Sequence, residues 1–423
     1  MKIPLKESIE KWSHPFENIE GLNSLIDKMG EARIVLLGEA SHGTSEFYTL
    51  RAEITKRLIQ EKGFSFIAVE GDWPACHTVN SYIKSQTDNR SPEEVLKAFH
   101  RWPTWMWANK EIVSLLEWLK QHNKNLEEGK KAGFYGLDVY SLWESMDEVV
   151  SYLKKINSPE MPAAIKAFSC FEPFNRNNET YAISAGYLSE GCSNEVVDLL
   201  SRIRKSVETD PNDSEAALSL EVNALVAANA EQYYRLMVLS DSESWNTRDM
   251  HMVEALNAIL KFHGPDARAI IWEHNTHVGD ARATDMREAG MINVGQIVRE
   301  QNRKKDVFIT GFGTHRGTVI AGEAWGSPYE EMDVPPAQAF SWEDALHQAG
   351  DYNKWLLFTE ENRNLFSERI GHRAIGVVYN PEYEHYGNYV PSVISERYDA
   401  FIYVDQSFAL EPLDIFKGPE TLS

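Results

Sequence analysis

Cysteine is scarce: Cys76, Cys170 and Cys192 are the three among 423 residues. With no CxxC pair, the chain is expected to have neither a disulfide scaffold nor a thiolate zinc site, and a reducing cytoplasm fits it best. Long apolar runs are missing as well. No stretch approaches the roughly 18 apolar residues of a membrane span, and Met1-Lys2-Ile3-Pro4-Leu5-Lys6-Glu7 has no signal-peptide apolar core, so neither membrane insertion nor export is expected. Positive charge is in short supply. Lys and Arg number 42 against 64 Asp and Glu, a formal charge of −22 that repels phosphate backbones and makes nucleic acid a poor partner. Three familiar catalytic signatures are absent too: a GxSxG elbow, a GxxxxGK[ST] phosphate loop and an HExxH zinc helix. Covalent serine catalysis is therefore disfavoured.

What is present is ordinary globular material, 43% hydrophobic and 25% charged, in a chain about three times the common single-domain length. Short β-rich runs recur at 34–38, 64–69, 133–137, 267–272, 307–311, 374–379 and 401–404, apolar on both faces and mostly separated by helical periodicity. That alternation predicts an α/β fold with a mostly parallel central sheet flanked by helices. Between 141 and 264 the periodicity is helical throughout, which reads as a large insertion splitting the α/β core into 1–140 and 265–423. Two strand-like runs around a glycine-rich turn at 306–322 read as a small β-hairpin extension, and the proline-bearing stretch 328–336 as a surface loop.

Ligands of open parallel sheets bind beyond the carboxyl ends of the strands, and those ends are polar here. The first run ends in Glu39 and His42, the second in Glu70, Asp72 and Trp73, the third in Asp138, the fourth in Glu273, His274 and His277. His42 precedes a helix whose positive terminus would help keep its imidazole neutral, which suits a general base. Glu39 and Glu70 are placed to orient a histidine or hold a water. Arg51 falls inside the apolar stripe of the same helix and should face the sheet. There it either neutralises Glu39 or Glu70 or stabilises negative charge on a substrate. Asp72, Trp73, Asp138 and His277 are candidates for substrate contact. Trp105 and Trp107, in the tryptophan-rich stretch 101–111, are either core packing or an aromatic wall for a bulky ligand. Imidazoles and carboxylates in this number also suit a divalent metal, so a metal-dependent hydrolase and a non-catalytic metal or haem binder stay open as alternatives.

Four segments carry a resemblance: Leu37-Gly38-Glu39-Ala40-Ser41-His42-Gly43-Thr44-Ser45-Glu46-Phe47, Glu70-Gly71-Asp72, Trp102 through Glu111, and Trp272-Glu273-His274-Asn275-Thr276-His277-Val278-Gly279-Asp280-Ala281-Arg282. Together they resemble the erythromycin esterase family. The resemblance implies an α/β fold with a helical insertion and metal-independent hydrolysis of macrolide lactones, needing no cofactor. By motif it implies His42 as the base that activates water, Glu39 and Glu70 as supporting carboxylates, Arg51 as a site arginine, and His274 and His277 as a second histidine wall. Family members differ at the position of Glu70, some carrying arginine. The partner it implies is a small-molecule ester or lactone.

Overall fold

The computed structural model describes residues 4–85, 90–188, 191–209 and 215–413. Its strands are β1 (Ser13–Pro15), β2 (Ile34–Leu37), β3 (Phe66–Asp72), β4 (Gly133–Asp138), β5 (Ala269–Trp272), β6 (Val307–Gly322), β7 (Tyr329–Val334), β8 (Lys354–Leu357), β9 (Arg369–Arg373), β10 (Tyr389–Val393) and β11 (Ala400–Ser407). The central sheet runs β1-β8-β11-β6-β2-β5-β3-β4, with β7 attached to β6, while β9 and β10 form a separate ribbon. The six strands from β11 to β4 are parallel, and β8 and β1 close one edge antiparallel. This is the α/β architecture that the alternating runs predict.

Both faces of the sheet are covered because both faces of its strands are apolar. In β2, Ile34 and Leu36 enter one core cluster while Val35 and Leu37 enter the other, and β5 divides Ala269 and Ile271 from Ile270 and Trp272 in the same way. Each fully buried aliphatic side chain contributes about 1.5 to 3 kcal/mol. The helix Ser45–Lys62 lays Phe47, Ile54 and Leu58 on one face and ends at Gly63, whose φ of 69° is the left-handed cap that glycine adopts without strain. Between β4 and β5 lie the helices Leu142–Lys155, Met161–Phe171, Asn178–Tyr187, Ser193–Thr209, Glu215–Met237 and Asp241–His263. Their buried side chains join the cluster that holds Leu36, Ala68 and Ile271.

Three local expectations fail. Residues 306–322 are no hairpin: β6 is one strand of 16 residues, and its antiparallel partner is β7, inside the stretch read as a surface loop. The glycines that suggested a turn serve close packing instead, since a Cβ on Gly311 would meet the Tyr398 ring at 2.6 Å and one on Gly317 the Ser407 carbonyl at 1.9 Å. Residues 374–379 form no strand either. They follow β9, which pairs with β10, and meet the central sheet region through the bridges Ser41↔Ile375 and Gly322↔Val378 and by packing Ile375 and Tyr379 against Val319 and Ala321 of β6. Finally, Cys170 and Cys192 are joined by a disulfide that ties the Met161–Phe171 helix to the start of Ser193–Thr209, leaving buried Cys76 as the free thiol. Neighbours in space but 22 residues apart, they show no pairing signal in their spacing. No helix among the described residues is long and apolar enough to cross a membrane.

Candidate active site

Because β2, β5, β3 and β4 are neighbours and parallel, the residues after them lie side by side at one sheet edge. Two of those ends are stitched together by backbone. The Asn275 N–H donates to the Glu39 carbonyl at 2.8 Å, and Gly38 is required there because a Cβ would sit 2.1 Å from the Asn275 side-chain oxygen. Glu39 is 1% exposed and has both oxygens engaged. One accepts the His42 Nδ1–H at 3.0 Å, and the other accepts an Nη2–H of Arg51. Arg51 is fully buried, its guanidinium 4.7 Å from the ring centroids of both Tyr48 and Trp272. It does not reach the cavity, so contact with a substrate oxyanion is excluded by position and the pairing with Glu39 is what the fold provides. The helix-terminus argument for His42 is also outweighed. Burial opposes its charge, but the Glu70 and Glu39 carboxylates together move its pKa above the ordinary 6.5.

The second half of the site is centred on a residue that the sequence did not single out. Arg248, on the helix Asp241–His263, donates through Nε and Nη2 to both oxygens of Asp138 at 2.9 and 2.7 Å, through Nη2 to Glu70 at 2.7 Å, and through Nη1 to His277 Nε2 at 3.0 Å. Four of its five N–H donors are thereby committed. Since His277 Nε2 accepts, its Nδ1 carries the proton and donates to Asp249 at 3.0 Å. Trp245 stacks on that imidazole at 4.6 Å and 5°, holding the ring flat. Glu70 takes its remaining hydrogen bond from the His274 backbone N–H at 2.9 Å. Burial works to raise the Glu70 pKa, but the neighbouring His277 and His42 imidazoles, the Arg248 guanidinium and the His274 backbone N–H together outweigh it and hold the carboxylate well below its usual range.

His274 faces His42 with ring centroids 4.8 Å apart. Its Nδ1 accepts the Thr276 backbone N–H, and burial followed by repulsion from His42 pushes its pKa well below 6.5, so it stays neutral. Next to it, Glu273 is wholly buried with both carboxyl oxygens unpartnered, and burial pushes its pKa well above the usual carboxylate range.

A cavity of about 420 Å³ opens over this arrangement. His42, Glu70, Asp72, Asp138, His274 and His277 line it, as does Trp107, whose Nε1–H donates to the Glu70 carbonyl at 2.9 Å. Trp73 and Trp105 do not. Trp73 is 1% exposed, packed on Tyr135 with its Nε1–H on Ser219, and Trp105 is buried in the opposite core cluster. Asp72 contributes a carboxylate closed off by Arg101, which grips both its oxygens at 2.8 Å. Among the described residues no three His, Cys, Asp or Glu side chains are arranged to hold a metal ion, and Glu39, Glu70, Asp72, Asp138 and His277 have arginine partners already.

The erythromycin esterase family model matches residues 59–407. The chain belongs to the erythromycin esterase family. Among its relatives, erythromycin esterase type II of Escherichia coli is 22% identical over 373 residues, covering 82% of this chain and 86% of that one. A solved structure from Bacillus cereus superposes with a TM-score of 0.80 at 19% identity, covering 97% of this chain and 98% of that one. A mutant of the erythromycin esterase EreC in its open conformation gives 0.68 at 16%, covering 96% and 99%. At such identities the two structures establish the family's fold for this chain and nothing finer. Family membership points to an ester hydrolase.

Arg248 and Asp249 are the residues that sequence reasoning missed. They lie 110 residues from Asp138 and 28 from His277, in a helix read only as part of an insertion. One signal was available: Trp245, Arg248, Asp249 and Met252 recur at helical spacing, which puts two charged residues on a stripe that otherwise buries.

Proposed function

We propose that this erythromycin esterase family member hydrolyses carboxylic esters or lactones by direct attack of a water that His42 deprotonates, with no covalent intermediate and no metal. The observation that carries the reading is the orientation of His42. Its Nδ1–H is committed to Glu39, so the nitrogen left at the cavity, Nε2, is the one with a free lone pair. In this scheme water gives its proton to Nε2 while its oxygen bonds to the carbonyl carbon. The tetrahedral oxyanion that forms accepts the one uncommitted N–H of Arg248, on Nη1. Collapse breaks the carbon–oxygen bond to the leaving group, and His42 returns the proton to that oxygen, giving an acid and an alcohol, or a hydroxy acid from a lactone.

Glu39 and Glu70 supply what a neutral imidazole lacks, a field that stabilises the imidazolium once the proton arrives. Arg51 acts at one remove, as a positioning residue that fixes Glu39. Asp249 does the same for His277, and Asp138 for Arg248. A metal-dependent reading would require several of these partnerships to break. The test is ester hydrolysis by chelator-treated wild type beside His42→Ala: the wild type is expected to keep its rate and the variant to lose about 10² to 10⁴ in kcat at an unchanged melting temperature. A folded His42→Ala protein of undiminished activity would sink the mechanism, and activity lost on chelation and restored by zinc or manganese would replace it with the metal-dependent one.

A further inference from the structure

The cavity says more about the substrate than the reacting centre does. Its volume of about 420 Å³ sits at the small end of ligand sites, which run from roughly 300 to 1,000 Å³. A site of that size suits a compact ligand, since ligand sites bury roughly 70 to 90% of what they hold.

Phe99, Trp107, Tyr140, Trp245 and Trp325 bring aromatic rings to the lining, and two of the indoles have their polar edges turned away. Trp107 donates its Nε1–H to the Glu70 carbonyl at 2.9 Å and Trp245 donates to the Ile292 carbonyl at 2.9 Å, which leaves indole rings, not donors, as lining. Trp325 also lines the cavity and is 65% exposed, so its ring is open to a ligand. Its loop is pinned beside the site by Trp102, which packs 4.6 Å from the Trp325 ring and donates its Nε1–H to the Ser327 carbonyl at 2.9 Å. Charge offers no hold on an anion either. The lining carboxylates Glu70, Asp72 and Asp138 outnumber the guanidiniums Arg101 and Arg248, and both guanidiniums are paired with them.

We propose that the site takes compact, uncharged esters or lactones carrying an aromatic ring, with that ring against the aromatic lining and Trp325 as a specificity-determining residue. This rests on the hydrolase reading above and narrows its substrate. Ring-on-ring contacts are worth about 0.5 to 1.5 kcal/mol beyond area burial, about two- to tenfold in affinity.

Benzyl acetate and butyl acetate have alkyl leaving groups of similar reactivity and differ in the ring, so their ratio isolates recognition from chemistry. The full chain should hydrolyse benzyl acetate with a kcat/KM about tenfold above butyl acetate, mostly through KM, and well above erythromycin. Trp325→Ala should raise KM for benzyl acetate several-fold and Trp325→Phe should restore most of it. Calorimetric titration with tetralone, an aryl ketone that cannot be hydrolysed, separates the two levels of the argument. Tetralone binding that weakens in Trp325→Ala, with no ester turned over, would keep the aromatic-ligand proposal and reject the hydrolase. Turnover of butyl acetate or erythromycin equal to or above that of benzyl acetate, or no tetralone binding, would overturn the proposal and leave the hydrolase reading standing.

Discussion

Replacing Arg51 by methionine removes the guanidinium while keeping a long apolar stem between Tyr48 and Trp272, so the loss reports on charge and not on volume. Glu39 is 1% exposed and has two partners, His42 on one oxygen and Arg51 on the other. Without Arg51 the second oxygen is buried and unpaired. Removing one member of a buried ion pair costs about 3 to 5 kcal/mol, because the remaining charge keeps its desolvation penalty and loses its compensation. With a urea dependence of about 1 to 3 kcal/mol per molar, toward the upper end for a chain this long, the unfolding midpoint of Arg51→Met should fall by about 1 to 2 M. Adding Glu39→Gln removes the stranded charge, and the double variant should recover more than half of that loss even though it carries one more mutation. A single variant whose midpoint stays within a few tenths molar of wild type, or a double variant whose losses simply add, would refute the claim that Arg51 works through Glu39.

Three further outcomes are expected. The Glu70 and Glu39 carboxylates raise the His42 pKa above 6.5, and a base acts when unprotonated, so kcat/KM should fall as pH drops through a value above 6.5; Glu39→Gln should move that inflection down, and a wild-type inflection below 6.5 would contradict the assignment. Arg248→Lys keeps one charge but lacks the planar fork that reaches Asp138, Glu70 and His277 at once, so kcat should drop about 10²- to 10³-fold, and a wild-type kcat would remove Arg248 from the mechanism. Thiol titration of denatured, unreduced protein should find one free cysteine, Cys76, and three after reduction; three at the outset would refute the Cys170–Cys192 link.

What the sequence made legible was whatever is local to a strand end. The runs before Glu39, Glu70, Asp138 and Glu273 are apolar on both faces, which marks buried parallel strands, and a polar residue at the end of such a run has few places to point except the sheet edge. The pairing of Arg51 was legible only as a choice between partners, because helical periodicity shows that a side chain faces the sheet but not how far the strand ends stand from it. The tryptophans divide for a related reason. Trp105 and Trp107 are two residues apart at a short 3-10 turn, so they face different surroundings, and composition cannot say which ring meets the cavity. Glycines misled at β6, where the need for a missing side chain comes from Tyr398 and the Ser407 backbone, both more than 80 positions away.

Arg248 lies deeper than any of these, and its position ties the helices between β4 and β5 to the chemistry. Its partners Glu70 and Asp138 end strands of the sheet, while Arg248 itself and Asp249 sit on the last of those helices. Glu70 and Asp138 are each about 5% exposed or less, so drawing that helix away would strand two buried carboxylates and free His277 from Asp249 in the same movement. Each broken buried pair costs several kcal/mol, comparable with a fair share of a whole domain's stability. The helix is therefore held to the strand ends by the same ion pairs that arrange the candidate site. Trp325, which lines the same cavity, stands by contrast on a short loop between β6 and β7 that takes no part in this ion-pair network.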